Sequence, residues 1–95
     1  MSPRSKWTFL TNHALVLLCV ASNPRSSLRE IGDRVGVTER ATHRIVADLA
    51  AAGYVVVQKD GRRNVYEVQT DEMLRHEEAS HVPVGALLEL LLRRR

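Results

Sequence analysis

A single cysteine, Cys19, occurs in the 95 residues, so no internal disulfide staples the fold. A lone thiol suits a reducing compartment, and a cytoplasmic location is expected. Aromatic residues make up only 4% of the chain, which leaves Leu, Val, Ile and Ala to build the core. No apolar run reaches the roughly 20 residues that a membrane-crossing helix needs, so no membrane partner is expected. The nearest, Ala14-Leu-Val-Leu-Leu-Cys-Val-Ala21, follows Arg4 and Lys6 and invites comparison with a short secretory or lipoprotein signal. Leu18, however, stands directly before Cys19, where a lipoprotein site wants a small residue. The run is read instead as a helix capped by Thr11 or Asn12 and ending near Asn23-Pro24. Also missing are a Gly-rich phosphate loop, a nucleophile with an evident base, and paired carboxylates on rigid elements. An enzyme is not expected, and no cofactor is implied.

What the chain does have is basic charge, unevenly spread. A net charge of +3 favours a polyanionic partner. Arg25, Arg29, Arg34, Arg40, Arg44, Lys59, Arg62 and Arg63 fill the middle of the chain, while Glu67, Asp71, Glu72, Glu77 and Glu78 follow them. One basic face and one acidic segment suit a nucleic-acid binder with a separate second side. A chain this short supports one core.

The punctuation of the middle segment is dense. Ser27 with Glu30 is a capping-box signature, in which a hydroxyl takes the N3 amide and the carboxylate returns to the cap amide. Gly36 stops that helix, Thr38 caps a second, and Gly53 stops the second. Two helices joined by so short a turn form a helix-turn-helix. Tyr54-Val-Val-Val-Gln-Lys59 then reads as a strand, Asp60-Gly61 as a hairpin turn, and Asn64-Val-Tyr-Glu-Val-Gln69 as the returning strand. With Lys59, Arg62 and Arg63 at its tip, the hairpin is a basic wing. Beyond it, Thr70 is expected to cap a short polar helix over 71–78, and Pro83 to open a last helix, Val84–Leu92. The expected fold class is α+β: a winged helix-turn-helix of three helices and a hairpin wing with C-terminal helices, and a short extended piece near Trp7. Residues 1–81 would form the DNA-binding domain and 82–95 an apolar helix for dimerisation.

Residues 11–70 resemble the DNA-binding core of the multiple-antibiotic-resistance-regulator (MarR) group of winged-helix regulators. The resemblance lies in Leu10-Thr11, Leu28-Arg-Glu-Ile-Gly-Asp-Arg-Val-Gly-Val-Thr38, Ile45-Val-Ala-Asp-Leu-Ala-Ala-Ala-Gly-Tyr-Val55 and Asp60-Gly-Arg-Arg63. It implies a transcription regulator acting on double-stranded DNA. Full-length members carry longer flanking helices that build the dimer and an effector pocket. Little room is left for them here, so a small-molecule effector is not expected.

Periodicity divides the second helix of the motif. Thr42, Ile45, Val46 and Leu49 form a stripe for burial, and Arg40, His43, Arg44 and Ala47 form another for solvent or DNA. Arg40 and Arg44 offer planar forks for guanine or phosphate, His43 for a base edge, and Thr38 for phosphate. Glu39 either accepts from cytosine or simply favours the helix start. Lys59, Arg62, Arg63 and Asn64 would meet backbone or the adjacent minor groove, and Ser26, Ser27 and Arg29 would add phosphate contacts. The competing reading is a solvated polar face and a charge-protected hairpin edge.

The last helix is apolar on nearly every side. Val84, Leu87, Leu88, Leu91 and Leu92 are therefore expected at a homodimer interface. A rival reading is a winged-helix interaction module in a larger assembly that does not bind DNA. His76, Glu77, Glu78 and His81 have only loose metal-like spacing across a break, and no metal site is expected. Cys19 sits on an apolar stripe, where a buried structural thiol is the expectation rather than a redox sensor.

Overall fold

Three side-chain caps decide where the first three helices begin. The computed structural model describes residues 7–93 and shows α1 (Asn12–Ser22), α2 (Leu28–Val35), α3 (Glu39–Ala51), β1 (Val55–Asp60), β2 (Arg63–Val68) and α4 (Val84–Leu92). Thr11 Oγ1 accepts from the Ala14 amide at 3.1 Å, and Thr38 Oγ1 from the Ala41 amide at 3.0 Å. At α2 the capping box is complete: Ser27 Oγ accepts from the Glu30 amide at 3.0 Å, and Glu30 Oε1 accepts from the Ser27 amide at 2.8 Å. Gly36 then ends α2 at φ 92°, a left-handed value that glycine adopts without steric cost.

The Ser27 amide, then the Ser27 hydroxyl, hold the Glu30 carboxyl below its ordinary value of 4.5. A depressed carboxylate stabilises the fold fully above that value, and the contribution is lost as pH falls through the folded-state pKa. Glu30→Gln is therefore expected to lower the thermal midpoint near neutrality and to converge on the parent in acid, which flattens the profile below about pH 4.5. A variant whose profile is as steep in acid as the parent's would remove the capping carboxylate from the account.

α1 lies at the centre, packed against α2, α3, β2 and α4. It buries Val16, Leu17, Cys19 and Val20, so the thiol is a core group. Ile31 of α2, the stripe Thr42, Ile45, Val46 and Leu49 of α3, and Tyr54, Val55 and Tyr66 complete the cluster with Val84 and Leu88. The α3 stripe is the one that periodicity assigns.

The two strands are antiparallel, from Val55 opposite Val68 to Asp60 opposite Arg63. A two-residue loop, Gly61-Arg62, closes them, with Gly61 at φ 66°. Both strands sit one residue from their expected limits. Tyr54 is held back by the α3 terminus, its amide donating to Leu49 O at 2.9 Å, and Arg63 joins the ladder opposite Asp60. Beyond Val55, β1 is exposed throughout, so β2 is the strand that holds the hairpin to the body. Buried Tyr66 anchors it, and the Tyr66 amide donates to Pro24 O at 3.0 Å.

The polar helix expected over 71–78 is absent, and Thr70 caps nothing helical. The segment pairs with the entry to α4 instead: Leu74 N donates to Val82 O, Val84 N to Glu72 O and Gly85 N to Thr70 O, and Met73 bridges Pro83. An isolated helix of that length is marginal in water, and only Leu74 of the segment packs against the core. Cross-chain backbone bonds win. The Tyr54 hydroxyl joins them, donating to Met73 O at 2.7 Å, and burial raises its pKa. Pro83 occupies the N-cap, one place before the helical position expected for it.

Candidate nucleic-acid interface

The approach of α2 to α3 is set by Gly32. A Cβ there would lie 2.8 Å from both Thr42 Oγ1 and Val37 O, so only glycine lets the two helices meet this closely. Thr42 turns its hydroxyl to Thr38 O at 2.9 Å and is wholly buried. With that stripe fixed inward, Glu39, Arg40, His43, Arg44 and Ala47 face solvent.

The wing extends the same cationic surface. Arg25, Ser27, Glu39, Arg62, Arg63 and Asn64 line a polar hollow of about 410 Å³ between the start of α2 and the hairpin. Arg63 lies near enough to Glu30 to help keep its carboxyl ionised. A smaller groove between α3 and the hairpin takes in His43, Ala47, Val57 and Asn64. Asn64 is half-buried, and its Oδ1 has no hydrogen-bond partner among the described residues. Arg40, Arg44, Arg62 and Arg63 make no ion pair among the described residues. Free guanidinium groups are what a phosphate or base edge requires.

Sequence reading missed two contacts here. Arg25 Nη1 meets Asp60 Oδ2 at 2.8 Å, tying the α1–α2 connector to the end of β1. His13 Nε2 meets Asp48 Oδ2 at 2.9 Å, joining α1 to α3. Each pair is far apart in the chain, and neither residue type announces its partner. Of the expected phosphate contacts, Ser26 is buried, while Ser27, Arg29, Thr38 and Lys59 are exposed. Ser26 lies in the connector at the base of the polar hollow, its amide donating to Asn23 O at 3.1 Å. His76 Nδ1 accepts from the Glu78 amide at 3.1 Å within a local turn, and no cluster of potential metal ligands occurs among the described residues.

A MarR family model matches residues 8–63, from the approach to α1 through the first residue of β2. The chain belongs to the MarR family.

Among solved structures, this MarR-family chain is similar to the PcaV transcriptional regulator from Streptomyces coelicolor, solved in complex with its natural ligand. The two share 27% identity and superpose with a TM-score of 0.56 over 93% of this chain. The match covers 63% of PcaV, so the MarR-family chain spans less than two thirds of that protein's length. No curated protein matches the sequence. Three helices followed by an antiparallel hairpin and a further helix make the winged helix of the MarR fold.

α4 corrects one expectation. Val84 and Leu88 are buried in the chain's own core, because α4 lies against α1 and those two side chains face it. Leu87 is half-buried, and Leu90, Leu91 and Leu92 are exposed, Leu90 at 60%. Next to them an open cleft of about 600 Å³ runs between α1, the end of α3 and α4. Its walls are mainly apolar, with the His13–Asp48 pair at one edge. No helix among the described residues is long and apolar enough to cross a membrane.

Proposed function

We propose that this MarR-family protein is a transcription regulator that binds double-stranded DNA and acts by occupying an operator. α3 enters the major groove, with Arg40 and Arg44 on base edges and His43 beside them. Arg62 and Arg63 lie on the adjacent minor groove or backbone, with Lys59, Asn64, Ser27 and Arg29 on the flanking phosphates. The supporting observation is that the outward face of α3 adjoins the hairpin, His43 and Ala47 sharing a groove with Asn64, and that Arg40, Arg44, Arg62 and Arg63 make no ion pair among the described residues. That PcaV is a transcriptional regulator supports the same reading.

One small domain makes limited specific contact, so two copies on a palindromic site follow. Residues 82–95 supply the dimer element. Leu87, Leu91 and Leu92 with Leu90 meet the second copy, while Val84 and Leu88 anchor the helix to its own domain. Several exposed Leu side chains on one short helix otherwise make an aggregating patch.

Affinity for duplex is expected to fall steeply with salt, with a log–log slope of roughly −0.9 per phosphate contact. Filter binding on random and selected duplex at several salt concentrations measures it. Folded protein with no detectable binding at low salt would overturn the DNA reading in favour of an interaction module.

A further inference from the structure

Two of the four aromatic residues of this chain lie in the segment before α1, and both are bare. Phe9 is 92% exposed and Trp7 72% exposed, whereas Tyr54 and Tyr66 are buried. Two bare aromatic rings this close together make an apolar patch of the kind that marks a contact surface. The nearest apolar receptacle is the cleft between α1 and α4. Thr11 and Ala14 of the first turn of α1 form part of its lining, and Leu17, Leu87 and Leu91 form much of the rest. Within one chain neither ring enters it. Thr8 Oγ1 donates to Leu10 O, which fixes a bend just ahead of the α1 cap, and the rings project from that bend into solvent.

We infer that the aromatic arm Trp7–Phe9 of one copy seats in the α1–α4 cleft of a second copy, reciprocally, as part of the homodimer. The inference rests on the homodimer proposed above. Area supports a second copy as the occupant. An aromatic side chain buries about 150–250 Å², so four rings in a reciprocal exchange remove roughly 600–1,000 Å² from water. The lining of the two clefts and the exposed Leu90, Leu91 and Leu92 of each copy add to this, toward the roughly 1,200–2,000 Å² of a stable interface. Continuity supports it too. The cleft shares Leu87 and Leu91 with the α4 face proposed for dimerisation, so arm and helix cover one uninterrupted apolar surface.

Trp7 is the only tryptophan, so its fluorescence reports the arm directly. In the full chain, Trp7 emission is expected to move to shorter wavelength, with loss of iodide quenching, as concentration crosses the monomer–dimer midpoint read by sedimentation. Ala51→Arg places a charge at the cleft from an exposed helix position, and its Trp7 is expected to stay quenchable. Ala14→Arg blocks the opposite wall and serves as a second variant, each checked for folding by circular dichroism.

A mixing experiment separates exchange from self-docking. The double variant Trp7→Ser/Phe9→Ser has an open cleft and no tryptophan. Added in excess to Ala51→Arg, it is expected to restore the blue shift of the remaining Trp7. Trp7 shielded in the sedimenting monomer, with no rescue on mixing, means the arm docks on its own chain and overturns the proposal. A dimer whose Trp7 stays fully quenchable also overturns it and leaves the dimer intact. A monomer at every concentration overturns the dimer itself.

Discussion

Replacing Gly32 by alanine is expected to destabilise the protein by about 2–3 kcal/mol, a large part of the roughly 5–14 kcal/mol available to a domain of this size. Most helical Gly→Ala changes stabilise, by about 0.5–1 kcal/mol of backbone entropy. Here the added methyl meets Thr42 Oγ1 and the Val37 carbonyl at 2.8 Å. Neither gives way readily: Thr42 is fully buried and bonded to Thr38 O, and Val37 is backbone in the turn between the helices. The overlap is relieved only by moving α3 away from α2, which also displaces Arg40 and Arg44. Gly36→Ala is the comparison, since nothing lies within 4 Å and only the positive φ opposes it. Its cost is expected near 1–2 kcal/mol. Urea midpoints of the two variants decide the matter. A Gly32→Ala protein as stable as its parent would show that the contact is not a tight one.

The second large effect concerns binding. Arg40→Ala and Arg44→Ala are each expected to weaken a selected site by about 1–3 kcal/mol and to leave random duplex nearly unaffected. Both side chains are exposed on the outer face of α3 and unpaired among the described residues, so truncation removes no structural contact. Arg62→Ala and Arg63→Ala should weaken selected and random duplex more evenly, because backbone contacts carry no sequence. Competition titrations with both duplexes give the ratio. Equal losses on every sequence for all four variants would take base reading away from α3.

Much of this architecture was legible in the residues because it depends on local chemistry. Ser27 with Glu30, Thr38, Gly36 and Gly61 act within a few residues of themselves, and each does what its type requires. The buried stripe of α3 follows from helical spacing alone. What escaped was settled across the chain. The 71–78 segment has the composition of a polar helix, yet its amides and carbonyls find partners at the α4 entry. Nothing in the type or spacing of Ser26 marks it as buried. Val84 and Leu88 are chemically the same as the leucines beside them, and only the position of α1 divides inward from outward. In the site, the outward face of α3 was readable from periodicity, whereas the Arg25–Asp60 pair was not.

The connector between α1 and α2 grips the hairpin at two places, Pro24 at Tyr66 and Arg25 at Asp60. The exposed ion pair contributes little by itself, but the backbone bond at a buried tyrosine holds firmly. The distance from the root of the hairpin to the start of α2 is thus fixed when the chain folds, before any duplex is met. Ordering that a loose arm would undergo on contact is already complete, which spares the complex that entropic cost. The same rigidity narrows tolerance. If the protein binds duplex as proposed above, a site whose groove width differs from the built-in span has to deform, and the stiffness of base pairs that are never touched then enters the affinity.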